Sequence, residues 1–136
     1  EADLIVIGPG SLYTSIIPNF LVGGIKEALS KSKVAKVFIC NVSTQVHETD
    51  GYGVREHLQA FFEHSDVYPS HVLVNNNLHT LSGDSGQTGI APVSRIDNFN
   101  GTIIDADLVD LDFPTRHDPE KLAAALLTIG AHTKIG

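Results

Sequence analysis

The chain has 136 residues, 42% of them hydrophobic and 18% charged, with a mean hydropathy of +0.06 and a formal net charge of −7. That size and balance match one folded domain with a single core and argue against disorder. Nine Lys and Arg, scattered among sixteen Asp and Glu, argue against a nucleic-acid surface, which needs clustered cations; a small anion can still bind locally. The single cysteine, Cys40, excludes an intramolecular disulfide and suits a reducing cytosol. It lies in the apolar run Val37-Phe38-Ile39-Cys40, where a small buried residue is the expected role. No apolar run approaches the roughly 20 residues of a membrane span and no basic n-region opens the chain, so the expected location is cytoplasmic. Because the chain opens on Glu1 and contains no Met, a segment upstream of it is expected.

In chain order, Leu4 to Ile7 is an unbroken apolar run closed by Gly8, the pattern of a strand covered on both faces. A helix is expected after Pro18, with Asn19 as its N-cap and Phe20, Leu21, Ile25, Ala28 and Leu29 at helical spacing; Gly23-Gly24 weakens it by roughly 1 kcal/mol per glycine. Ala35 to Val42 reads as a second buried strand, followed by a polar loop from Ser43 to Tyr52. A second helix runs from about Gly53 to His64 on the stripe Leu58, Phe61 and Phe62. Val72-Leu73-Val74 is a third strand. Leu78 to Ile90, with Gly83, Gly86 and Gly89 among Ser, Asp and Thr, reads as an exposed loop. Two short strands are expected near Val93 to Ile96 and Thr102 to Val109. Asp118-Pro119-Glu120 then supplies an N-cap, a proline at the first helical position and an acidic first turn for a final helix through Leu127.

Strands alternating with helices imply parallel crossovers and a three-layer α/β sheet, whose ligands sit at the carboxyl ends of the strands. Gly8-Pro9-Gly10-Ser11 follows the first strand and Asn41 to Asp50 follows the second, so both loops are expected to open on one sheet edge. In the first loop, glycines permit close backbone approach, and successive N–H groups with the hydroxyls of Ser11, Thr14 and Ser15 can donate to phosphate oxygens. The loop matches neither G-x-G-x-x-G nor G-x-x-x-x-G-K-[ST], and its spacing fits a serine-capped turn equally well.

The second loop places His47, Glu48 and Asp50 within four residues. Glu48 and Asp50 are candidate Mg²⁺ ligands, or a general base beside a phosphate; the alternative is a solvated loop in which Asp50 caps the next helix. No zinc spacing is present. The remaining histidines, His57, His64, His71, His79, His117 and His132, are dispersed and read as surface or capping residues. In Arg116-His117-Asp118, a guanidinium at a helix start can clamp a phosphate or carboxylate, or form a salt bridge or cap contact.

The segments ADLIVIGPGSLYTSIIPNFLV, CNVSTQVHETDGY with GVREHLQAFFEH, VLVNN and RHDPEKLA resemble, in order and spacing, the gluconeogenesis-factor (YvcK-like) proteins of the CofD-like family. The resemblance covers nearly the whole chain. It implies one Rossmann-like α/β domain over residues 1–136, mostly parallel, forming the C-terminal part of the family domain without its glycine-rich N-terminal nucleotide loop. It also implies a non-enzymatic regulator that binds UDP-sugars such as UDP-N-acetylglucosamine and acts in carbon metabolism, cell shape and wall synthesis. The family's other branch, Mg²⁺-dependent 2-phospho-L-lactate transferases, carries a Pro-Ser-Asn-Pro type loop where this chain has Pro9-Gly10-Ser11-Leu12. By resemblance, Gly8, Gly10, Ser11 and Thr14 line the phosphate end of the cleft, Asn41, Thr44 and Gln45 contact the nucleotide, and Arg116 matches an arginine implicated in UDP-sugar binding. Two departures accompany it: Val46-His47 stand where the family has Pro-Gly, and no tyrosine lies between Gly83 and Ala91. Neither a catalytic residue nor a tightly bound metal is expected, and self-association is left open.

Overall fold

The computed structural model describes residues 2–78 and 85–134. Four short strands, β1 (Ile5–Ile7), β2 (Lys36–Ile39), β3 (His71–Asn75) and β4 (Thr102–Ala106), form one all-parallel sheet in the order β1-β2-β3-β4. The register pairs Ile7 with Phe38, Phe38 with Val72 and Val72 with Ile103. The period-2 alternation of side chains divides the core in two. Phe38, Val72 and Val74 face a layer that holds Leu12, Ile16, Phe20, Leu58 and Phe61, whereas Val37, Ile39 and Leu73 face Leu108, Leu122 and Ile129. All of β2 is buried, as suits a central parallel strand: Val37, Phe38 and Ile39 are apolar, and the Lys36 ammonium donates to the Ser32 and Val34 carbonyls.

Three helices complete the layers: α1 (Ile25–Lys31), α2 (Val54–Ser65) and α3 (Pro119–Thr133). At the start of α3 the Asp118 carboxylate accepts from the N–H groups of Glu120 and Lys121, as the Asp-Pro-Glu signal predicts. At α2 the N-cap is Gly53, whose N–H donates to the Glu56 carboxylate at 2.8 Å. Asp50 does not cap this helix; it accepts from the His47 N–H at 2.6 Å inside the preceding loop. Phe61 centres the larger core layer, its ring 5.0 Å from Phe38 and 5.1 Å from Phe20.

The first crossover differs from the sequence expectation. A π-helical turn (Leu12–Ile16) runs into a 3-10 helix (Ile17–Leu21), and the chain breaks at Val22 to Gly24 before α1 begins. Asn19 is therefore not an N-cap; its amide donates to the Ser15 carbonyl at 2.6 Å and satisfies the end of the π turn. The glycine pair interrupts the helix because Gly24 takes a left-handed φ of 93°. Two strand expectations also change. Val93 to Ile96 forms no strand, because Ile96 is drawn into the core while the backbone there stays irregular, and β4 stops at Ala106 rather than Val109. β2 likewise ends at Ile39, leaving Cys40 and Val42 buried on either side of a half-buried Asn41 at the start of the loop.

Of the dispersed histidines, His57 is not a surface residue: it is 1% exposed on the inner face of α2, its Nδ1 bonded to the Gly53 carbonyl at 2.8 Å. His79 lies outside the described residues. Cys40 is buried, and burial pushes its thiol pKa up to about 12.

β1 ends in a tight exit. Gly8 has φ 91°, and a Cβ placed there would stand 3.3 Å from the Ile39 carbonyl oxygen and 3.2 Å from Ile16 Cδ1. Gly8→Ala is expected to cost about 1–3 kcal/mol, the scale of backbone strain at a disfavoured φ; an unchanged urea midpoint would refute this account of the turn. Burial lowers the His57 pKa, so the unfolded chain takes up a proton more readily than the native one. Its contribution is full above the unfolded value, about 6.5, and is lost as pH falls below it. The urea midpoint should fall between about pH 7.5 and about pH 5.5, and His57→Leu should flatten part of that slope; identical slopes in both proteins would exclude His57 as the cause.

Candidate functional site

The carboxyl ends of β1 and β2 are adjacent in the sheet, so the loops that follow them meet. The Asn41 amide fastens that junction by donating to the Gly10 carbonyl at 3.0 Å. A third segment joins them. After β4, Val109 and His117 pair across a narrow excursion in which the Asp110 N–H donates to the Arg116 carbonyl at 3.0 Å and the Asp118 N–H to the Leu108 carbonyl at 2.8 Å. The Asp110 carboxylate accepts from the N–H groups of Asp112 and Phe113 and rounds the tip. Ser43 ties this excursion to the second loop, its hydroxyl donating to the Thr115 carbonyl at 3.3 Å. A fourth segment, from Ser85 to Ile90, is held beside the second loop by two backbone bonds: Thr44 N–H to the Thr88 carbonyl and Ile90 N–H to the Val42 carbonyl, each 2.9 Å.

Between these segments lies an open cleft of about 390 Å³. Of the residues singled out in the sequence, Gly10, Ser11, Asn41, Gln45 and Arg116 line it. The others stand behind it. Gly8 shapes the exit from β1, and exposed Thr14 donates its hydroxyl to Ser11. Thr44 is 2% exposed; its hydroxyl accepts from the Thr88 N–H at 2.9 Å, and its carbonyl accepts from the Gln87 amide at 3.0 Å. Glu48 accepts the Ser11 hydroxyl at 2.6 Å. Glu48 and Asp50 thus serve different bonds, and among the described residues no group of three or more His, Cys, Asp and Glu converges as a metal site.

The sequence reading did not single out Ser43, Gln87, Thr115 or His117 as lining residues. Ser43 and Thr115 carried no chemical signal because their part is set by a tether between loops 72 residues apart. The signal at His117 was its place between Arg116 and the Asp118 cap: the residue before a cap is held in one direction, and here that direction is the cleft wall.

Arg116 is the one full cation among the lining residues. It is exposed, its guanidinium carbon lies 5.4 Å from the centre of the Phe113 ring, and it forms no ion pair among the described residues. Burial lowers the pKa of His117, against a hydrogen bond to the Cys40 carbonyl that raises it, and holds the imidazole neutral at neutral pH. Two lining side chains have buried atoms without a hydrogen-bond partner, Gln45 Oε1 and His117 Nε2. Unpaired polar atoms at this depth cost about 1–3 kcal/mol each, and both belong to residues of the cleft wall.

Comparison with known proteins agrees with the fold and the motifs. The family model described as 2-phospho-L-lactate transferase CofD matches residues 1–106. A gluconeogenesis factor of Halalkalibacterium halodurans is 42% identical over 136 residues, spanning 93% of this chain and 42% of that protein. A putative gluconeogenesis factor of Aquifex aeolicus is 41% identical over 138 residues, spanning 95% of this chain and 42% of that protein. The crystal structure of a UPF0052-family protein from Bacillus halodurans superposes with a TM-score of 0.80 at 37% identity, covering 93% of this chain and 43% of that one. The chain thus spans less than half the length of the curated relatives it matches. By the match over residues 1–106 and the likeness to these relatives along nearly its whole length, the chain belongs to the CofD family, among its gluconeogenesis-factor members.

Proposed function

We propose that this protein is a non-catalytic regulator, acting in carbon metabolism and in cell shape and wall synthesis, whose strand-end cleft binds a nucleotide sugar such as UDP-N-acetylglucosamine. The observation that carries this reading is the meeting of the two family motifs and Arg116 in one cleft, in a chain of net charge −7. A lone cation amid neutral amides and hydroxyls suits a diphosphate flanked by uncharged groups better than a bare polyanion. Arg116 provides the fork for the diphosphate or sugar, while Gly10, Ser11, Asn41 and Gln45 form the opposite wall. Gly8, Thr14 and Thr44 act behind that wall by holding the loops that carry it. The names of the relatives support a role in carbon metabolism, and a chain with few clustered cations supports a small-molecule partner over nucleic acid.

The description of the matching family model favours a second reading, a Mg²⁺-dependent transferase acting on a nucleotide diphosphate donor. The candidate ligands for that ion, Glu48 and Asp50, serve separate bonds to Ser11 and His47 and do not converge with a third ligand among the described residues, so the residues as placed do not fit it. Turnover of a lactyl-diphosphate guanosine donor that disappears in Asp50→Asn would establish this reading in place of the first.

Calorimetric titration of UDP-N-acetylglucosamine into the full-length protein decides the main reading. Saturable binding is expected, weakened roughly 10- to 100-fold in Arg116→Ala, the equivalent of about 1.5–3 kcal/mol for hydrogen bonds to a charged group. No heat with the unmodified protein, or equal affinity in the variant, would refute it.

A further inference from the structure

Arg116 reaches the cleft from a segment that fixes its backbone on both sides. Phe113, Pro114, Thr115 and Arg116 form a β-turn closed by the Arg116 N–H, which donates to the Phe113 carbonyl at 2.9 Å, with Pro114 where its fixed φ suits the bend. The Arg116 carbonyl accepts from the Asp110 N–H at 3.0 Å. The turn brings its first and last residues together. The Phe113 ring, 58% exposed, has its centre 5.4 Å from the guanidinium carbon, within the roughly 6 Å reach of a cation–π contact.

The nearby carboxylates leave that cation alone. Asp110 turns to the N–H groups of Asp112 and Phe113, and Asp118 to those of Glu120 and Lys121. Arg55 and Arg95, by contrast, both reach Asp97, at 3.1 and 3.8 Å. Among the described residues Arg116 forms no ion pair, and the group its guanidinium meets is the Phe113 ring. A guanidinium stacked on a ring gives up its face and keeps its five in-plane N–H donors, whereas a carboxylate partner would occupy them.

We infer that Phe113 is a positioning residue for the cleft: its ring holds the Arg116 guanidinium by the face and leaves the N–H edge for the anionic part of the ligand. The inference rests on the cleft being the nucleotide-sugar site proposed above, with Arg116 on the diphosphate or sugar. A long side chain restrained before the ligand arrives loses less rotamer freedom on binding.

The test is a double-mutant cycle in the full-length protein. UDP-N-acetylglucosamine is titrated calorimetrically into the unmodified chain, Phe113→Leu, Arg116→Ala and the double variant, with Phe113→Trp as the conservative replacement. Leucine keeps an apolar side chain at the exposed tip and removes the ring face; tryptophan keeps the face. Phe113→Leu is expected to weaken binding about two- to fivefold, the equivalent of about 0.5–1 kcal/mol for an exposed cation–π contact. Phe113→Trp should bind at least as tightly as the unmodified protein, and Phe113→Leu should cost nothing further where Arg116 is already alanine. In the ligand-free protein the Arg116 Nε–H resonance, displaced by the ring current of Phe113, should shift in Phe113→Leu.

Equal affinity in Phe113→Leu and the unmodified protein, or an Arg116 resonance that does not move, overturns the assignment and leaves the nucleotide-sugar reading standing. The same loss in the Arg116→Ala background, or a tryptophan variant as weak as the leucine one, overturns it as well, since the residue would then act on the ligand or the loop without Arg116. No binding of UDP-N-acetylglucosamine to the unmodified protein overturns both.

Discussion

The exit from β1 is the constraint on which the rest of the site depends. A parallel strand pair brings the ends of β1 and β2 within one strand spacing, so the chain leaving β1 must turn at once to clear the Ile39 carbonyl. Gly8 does this at a φ closed to residues with side chains, and the π-helical turn that follows buries Leu12 and Ile16 beneath the loop. With the turn fixed, the Gly10 carbonyl stands where Asn41 can reach it, and the two loops become one wall.

The remaining polar residues of the loops divide into those that hold segments together and those that face the cleft. Thr44, Ser43 and Asn41 are tethers to the Ser85–Ile90 segment, the Val109–His117 excursion and the first loop respectively. The tethers occupy the Ser43 hydroxyl and one N–H of each of the Asn41 and Gln87 amides, so part of the polar wall is committed to holding the loops. The cleft is thus built on loops that hydrogen bonds join to one another beyond the strand ends.

Local signals were legible where one segment settles its own structure. Asp118-Pro119-Glu120 carried its cap, its proline and its acidic turn within three residues, and α3 begins where they place it. The stripe Leu58, Phe61 and Phe62 marked α2 in the same way, and the apolar strand runs predicted a mostly parallel sheet, which is all-parallel in the structure. Where two segments compete, local reading was less complete. Gly23-Gly24 looked like a weak point inside one helix and proved to be the break between two elements, since a left-handed Gly24 is free and a continuous helix there is not. At Val93–Ile96 the burial of Ile96 in the core comes without a strand, and His57 and His117 take places in the core and the cleft wall that their local sequence did not mark.

The sequence by itself determined the first three strands, the helices α2 and α3, a mostly parallel α/β sheet, the two loops at the strand ends and the family, because hydrophobic periodicity, caps and contiguous motifs are local properties. Tertiary structure alone decided which polar residues meet. Five residues singled out in advance line the cleft, Gly8, Thr14 and Thr44 support it, and His117 joins it from 72 residues beyond Gln45. The physical reason is that a side chain's spare hydrogen-bonding capacity is what its neighbours leave unsatisfied, and those neighbours are assigned only when the chain has folded.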